Sequence, residues 1–115
     1  MNRLLLFAAL LLASPLSAEI IQLAAGGKPL HPVVVAEKPS DRVRAAAQTL
    51  ADYLGRISGA KFEVAAGAGA TGLAVGRAED FPALKLAEKF NAADAERREE
   101  YLLRSHARGL YLIGA

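Results

Sequence analysis

Two carboxylates at a set separation are enough for a glycosidase, and the chain carries twelve Asp and Glu residues. Asp41 and Asp52 are the pair that spacing brings forward, because both fall in a stretch with helical periodicity. Eleven residues of helix separate them by about 16 Å along the axis, too far for either glycosidase geometry. The run "AERREE", residues 95–100, reads as a solvated charged surface. His31 and His106 are the two histidines and cysteine is absent. A zinc site needs three or four ligands of these types, so two histidines far apart in sequence do not suggest one; they read as surface or turn residues. Ser14 and Ser40 have no histidine near them, and no GxSxG elbow occurs. "GAGATG", Gly67 to Gly72, spells GxGxxG. A dinucleotide loop of that type leaves a strand and opens a helix whose N-terminus holds the pyrophosphate. Here the sequel is "LAVG", short, apolar and closed by glycine, and the position about 20 residues on lies in polar "NAAD". The pattern therefore reads as a plain loop. No catalytic, cofactor-binding or metal-binding residue emerges, and no cofactor is expected.

The elements around these residues are clearer than the chemistry. Asn2 and Arg3, the apolar run "LLLFAALLL" and then "ASPLSA" have the order of a secretory signal peptide ending at Ala18. The run is too short to span a bilayer, which takes about 20 residues. The expected product is a secreted or periplasmic chain starting near Glu19, with no membrane attachment after cleavage. Formal charge is +2, and +1 once Arg3 is removed, so the basic residues do not form a patch. Nucleic-acid binding wants clustered Lys and Arg with stacking aromatics, and Trp is absent, so no nucleic-acid partner is expected. Without cysteine there is no disulfide framework, and the core must hold by packing.

Along the mature chain, "EIIQLA" is an apolar run and Gly26, Gly27 and Pro29 make a turn. "HPVVVAE" has three consecutive valines, as in a strand covered on both faces. Ser40 is placed to cap a helix from Asp41 to Ser58, with Asp41 at its positive end. Val43, Ala46, Ala47, Leu50, Leu54 and Ile57 form its apolar stripe. Gly59 is expected to close it in the left-handed conformation. "KFEV" then alternates, with Phe62 and Val64 on one face, so that residues 33–64 resemble a βαβ unit. "AAGAGATG" reads as loop and "LAVG" as strand. "RAEDFPALKLAEKF" is expected to hold a short helix with Pro82 in its first turn. "NAADAERREE" is helix or loop, and "YLLRS" and "GLYLIGA" are two strands joined by "HAR". The expected core is Val33 to Val35, Leu50, Leu54, Phe62, Val64, Val75, Leu110 and Leu112.

The order of these pieces resembles a known domain. "VVVAE", a helix with AAxxLxxYLxxISG, "KFEV", "LAVG" and "YLLRS…GLYLIGA" follow one another as in the small N-terminal domain of family 67 α-glucuronidases. The matching domain of family 20 β-N-acetylhexosaminidases, and that of large secreted bacterial proteins, is similar. The resemblance covers nearly all of residues 19–115 and is sharpest in "AAAQTLADYLGRISGAKFEV". It implies an α/β sandwich, a mixed β-sheet with helices packed on one face. It also implies that the catalytic acids sit in a following (β/α)8 barrel. A barrel takes about 250 residues, more than this chain has. No family catalytic residue maps onto these positions. In the family a turn and a further helix follow the last strand, so on this reading the domain of residues 19–115 is incomplete at its C-terminus, its final helix missing. The expected role is a non-catalytic accessory domain of a secreted carbohydrate-active protein, packed against the barrel and with a polysaccharide as a further partner. The alternative is a free-standing glycan- or protein-binding module, and a small enzyme is the third reading.

Overall fold

A computed structural model describes residues 20–115. The signal-peptide expectation falls on residues 1–18, outside the described residues. Among the described residues no helix is long and apolar enough to cross a membrane.

Strand β1 (Ala24–Ala25) and strand β2 (Lys28–Pro29) form a small antiparallel hairpin, turned at Gly26 and Gly27. The main sheet has five strands: β3 (Val33–Val35), β4 (Val64–Ala66), β5 (Gly72–Arg77), β6 (Tyr101–His106) and β7 (Gly109–Gly114). Their spatial order is β4-β3-β5-β7-β6. The first four in that order run parallel and β6 is the antiparallel edge. The fold is thus α/β with a mixed sheet, as the sequence pattern implies. Among the described residues one α-helix, α1 (Asp41–Ser58), crosses between β3 and β4.

Helix α1 has the expected bounds. The Ser40 hydroxyl accepts from the Val43 N–H at 3.2 Å, satisfying one of the first-turn donors. Gly59 takes φ 75° and its N–H donates to the Gly55 carbonyl. The next strand can therefore start after five residues. Its ladder begins at Val64 and not at Lys61, although the Val33 N–H already donates to the Glu63 carbonyl.

The core lies mostly between α1 and the sheet. Val33, Val35, Leu73, Ala47, Ala51, Ala60 and Phe62 are buried there, with Val43, Leu50, Leu54, Val64, Val75, Leu110 and Leu112 packed against them. A second cluster on the other face joins Ala74, Ile113 and Phe81. Phe81 belongs to the segment expected to hold a short helix. That expectation is corrected: the segment makes two 3-10 turns, Ala78–Asp80 and Pro82–Leu84, with Pro82 opening the second. Phe81, Leu84, Leu86 and Phe90 all reach the sheet from it, which spreads its apolar side chains along the strands instead of stacking them on one helical stripe. Residues 91–100 continue as turns.

The helical stripe is corrected as well. Ala47 and Ala51 are buried, but Ala46 is exposed and Ile57 is 81% exposed. The buried line runs through Val43, Ala47, Leu50, Ala51 and Leu54, turned toward β3 and its neighbours β5 and β4.

Candidate functional site

The residues with chemistry in them are dispersed. Asp41 and Asp52 stay on α1, one in its first turn and one in its fourth. Asp52 accepts from the Gln48 amide at 3.0 Å, a local surface contact. His31 lies before β3, while His106 ends β6. The His106 ring stacks on Tyr111 with centroids 4.4 Å apart, and its Nδ1 accepts from the Arg108 N–H. Ser40 serves as the helix cap. Among the described residues no group of three or more His, Cys, Asp and Glu is gathered for a metal.

The GxGxxG stretch links β4 to β5 and opens a strand, not a helix. Its glycines answer to packing. Gly69 has φ 88°, and a Cβ there would come within 2.8 Å of the Phe81 ring. At Gly72, φ 78°, a Cβ would meet Val34 at 2.7 Å and the Pro32 carbonyl at 2.9 Å. Both positions need a residue with no side chain for reasons internal to the fold.

A crevice of about 520 Å3 opens where the strand order reverses, between the ends of β3 and β5. Open parallel sheets often hold ligands at such a point. Glu37, Lys38, Glu79 and Asp80 line it. Two of these carboxylates are engaged internally: Asp80 accepts from the Arg77 N–H at 2.8 Å, and Glu79 pairs with the Arg77 guanidinium at 2.7 Å.

The distinctive surface is apolar. Helix α1 packs over β3, β5 and β4, and among the described residues no helix lies above the same face of β7 and β6. The register puts Val75, Leu112 and Leu103 side by side, and Leu73, Leu110 and Ser105 in the next row. Leu103 is 62% exposed and Tyr101, on the same face, is 77% exposed. A groove of about 270 Å3 here is lined by Tyr101, Leu102, Leu103, Leu112, Ile113 and Gly114.

The flank of α1 beside this floor is mostly apolar, with Arg42 at its N-terminal end. Gln48, Asp52 and Arg44 turn toward β4, where they line grooves with Val64 to Ala66. At about 100° per residue, Ala46, Tyr53 and Ile57 fall on the opposite flank, toward β7. Tyr53 is 58% exposed, with the Arg56 guanidinium 5.6 Å from its ring centre. Floor and wall together make an apolar trough between α1 and β6. Sequence reading placed Leu110, Leu112 and Val75 in the core; Tyr53 and Tyr101 are exposed beside them. The signal that pointed here was the apolar alternation of "YLLRS" and "GLYLIGA" on a chain with one clear helix.

No family model matches the chain, and neither the curated proteins nor the solved structures contain a match to it.

Proposed function

We propose that residues 19–115 form a non-catalytic accessory domain of a secreted carbohydrate-active protein, of the type found before the barrel of family 67 and family 20 glycoside hydrolases. Its partner is a (β/α)8 catalytic barrel, normally in the same polypeptide, and the finer fold is the hexosaminidase N-terminal-domain type. The observation that carries this reading is the apolar trough floored by Val75, Leu103, Leu110 and Leu112 and walled by Ile57 and Tyr53. Covering one such aliphatic side chain contributes about 1.5–3 kcal/mol. A whole domain has only about 5–15 kcal/mol, so a face of this kind favours a packed neighbour. The resemblance of "AAAQTLADYLGRISGAKFEV" supplies the identity of that neighbour.

The exposure of Tyr53 and Tyr101 favours a second reading, a free-standing module that stacks aromatics on a glycan or docks a protein. The purified chain assayed on aryl glucuronides and N-acetylglucosaminides should show no turnover, whereas turnover above background overturns the accessory role. Affinity electrophoresis in polysaccharide gels separates the two remaining readings. Retardation that disappears in Tyr101→Ala supports the module, and unretarded migration supports the accessory domain.

A further inference from the structure

Strand β4 is the sheet edge opposite β6, across α1 from the apolar trough. The Val33 N–H donates to the Glu63 carbonyl and the Gly67 N–H to the Val35 carbonyl, both at 2.9 Å. With the parallel register Val33↔Val64 to Val35↔Ala66, these bonds fix the direction of each main-chain group. The Glu63 carbonyl, both groups of Ala65 and the Gly67 N–H face β3. Both groups of Val64 and of Ala66 face the other way, out of the sheet. Ala65 and Ala66 are exposed, and among the described residues nothing bonds to these outward groups. Neither proline nor charge, two common guards of an edge, occurs in β4. Above this edge the flank of α1 is polar. Arg44, Gln48 and Asp52 follow at four-residue spacing, one line along the helix. Grooves of about 300 and 520 Å3 separate that line from β4, and Gln48 and Val64 line both. Asp52 is held by the Gln48 amide, and Arg44 has no ion pair among the described residues.

This edge is complementary to itself. A two-fold axis normal to the sheet lays β4 antiparallel to β4 of a second copy and keeps each side chain on its own face. Outward groups must meet outward groups. Centring the pair on Ala65 sets Val64 opposite Ala66 in both directions, four main-chain bonds in all. Centring on Val64 or on Ala66 leaves one such pair within β4. The side chains that meet at the joint are small and uncharged. The same axis reverses the charge order of α1, so Arg44 of each copy comes opposite the Gln48–Asp52 pair of the other. At about 4.8 Å per strand the two β3 strands lie ~14 Å apart, with an α1 above each. Helices pack directly at about 8–10 Å, so this gap is one for long side chains to bridge. The bridge joins opposite charges.

We propose that the chain forms a two-fold dimer by antiparallel pairing of β4 with β4 of a second copy, centred on Ala65, with Arg44 of each copy paired across the joint to Asp52 of the other. The chain has no cysteine, so single thiols report the register. In a non-bonded antiparallel pair the Cα atoms are about 4.5 Å apart, within disulfide reach. Mild oxidation of Ala65→Cys should yield a covalent dimer. Glu63→Cys should not, since its two thiols would lie about four residues apart along the strands, ~13 Å. Sedimentation of the parent chain should give twice the single-chain mass. Arg44→Glu should shift it to one chain, and adding Asp52→Arg should restore the dimer. Arg44 and Asp52 are both exposed, so far-UV dichroism of both variants should match the parent. A single-chain mass of the parent at about 100 μM, equal cross-linking at 63 and 65, or a dimer that Arg44→Glu leaves intact would each overturn the proposal.

Discussion

Gly59 and Gly69 are both held at positive φ, by different neighbours. At Gly59 there is open space around a new Cβ, so the cost of Gly59→Ala is conformational alone, about 1 kcal/mol. At Gly69 the same strain is joined by a clash with the buried Phe81 ring. Gly69→Ala should therefore lower the melting midpoint more than Gly59→Ala. Equal midpoints would mean that the loop does not pack on Phe81 as described. Adding NAD or ATP should leave the midpoint of the parent chain unchanged, because the GxGxxG spacing here serves a strand connection. The helix stop at Gly59 was legible from sequence since everything that defines it lies within one turn. The role of Gly69 was not, because Phe81 is twelve residues away and joins it only through the fold.

At the scale of elements, α1 was readable to the residue: Ser40, the apolar period and Gly59 are local signals. The burial of its stripe was not, because Ile57 and Ala46 follow the same period as Leu50 but overhang a part of the sheet that no described helix covers. Leu73, Ala74 and Ile113 were missed from the expected core for a related reason. Strands buried on both faces carry no alternation to separate one face from the other. The sheet order was equally hidden, since β5 and β7 add on the side of β3 away from β4 without any local cue. The segment after β5 crosses the second face and is tied down by Phe81, Leu84, Leu86 and Phe90, and by Glu88 on Arg104. A backbone hydrogen bond, and then the Arg104 guanidinium, hold the Glu88 carboxyl below its ordinary range. A lowered folded-state pKa stabilises the fold above the ordinary carboxylate range, and that contribution is lost as pH falls through the lowered value. Thermal melts of the parent and Glu88→Gln should thus differ most near neutrality and converge in acid. A gap that widens on acidification would contradict the pairing.

At the scale of the molecule, an apolar trough stands without a helix above it among the described residues. Its floor comes from β5, β7 and β6, and its wall from the flank of α1 that carries Tyr53 and Ile57. A hydrophobic dye reports such a surface directly. Titration of the purified, folded chain with an anilinonaphthalene sulfonate probe should give strong, saturable fluorescence, and Ile57→Lys, which alters only the exposed wall, should reduce it. A sharply melting chain that binds no dye would contradict the docking surface and with it the accessory role.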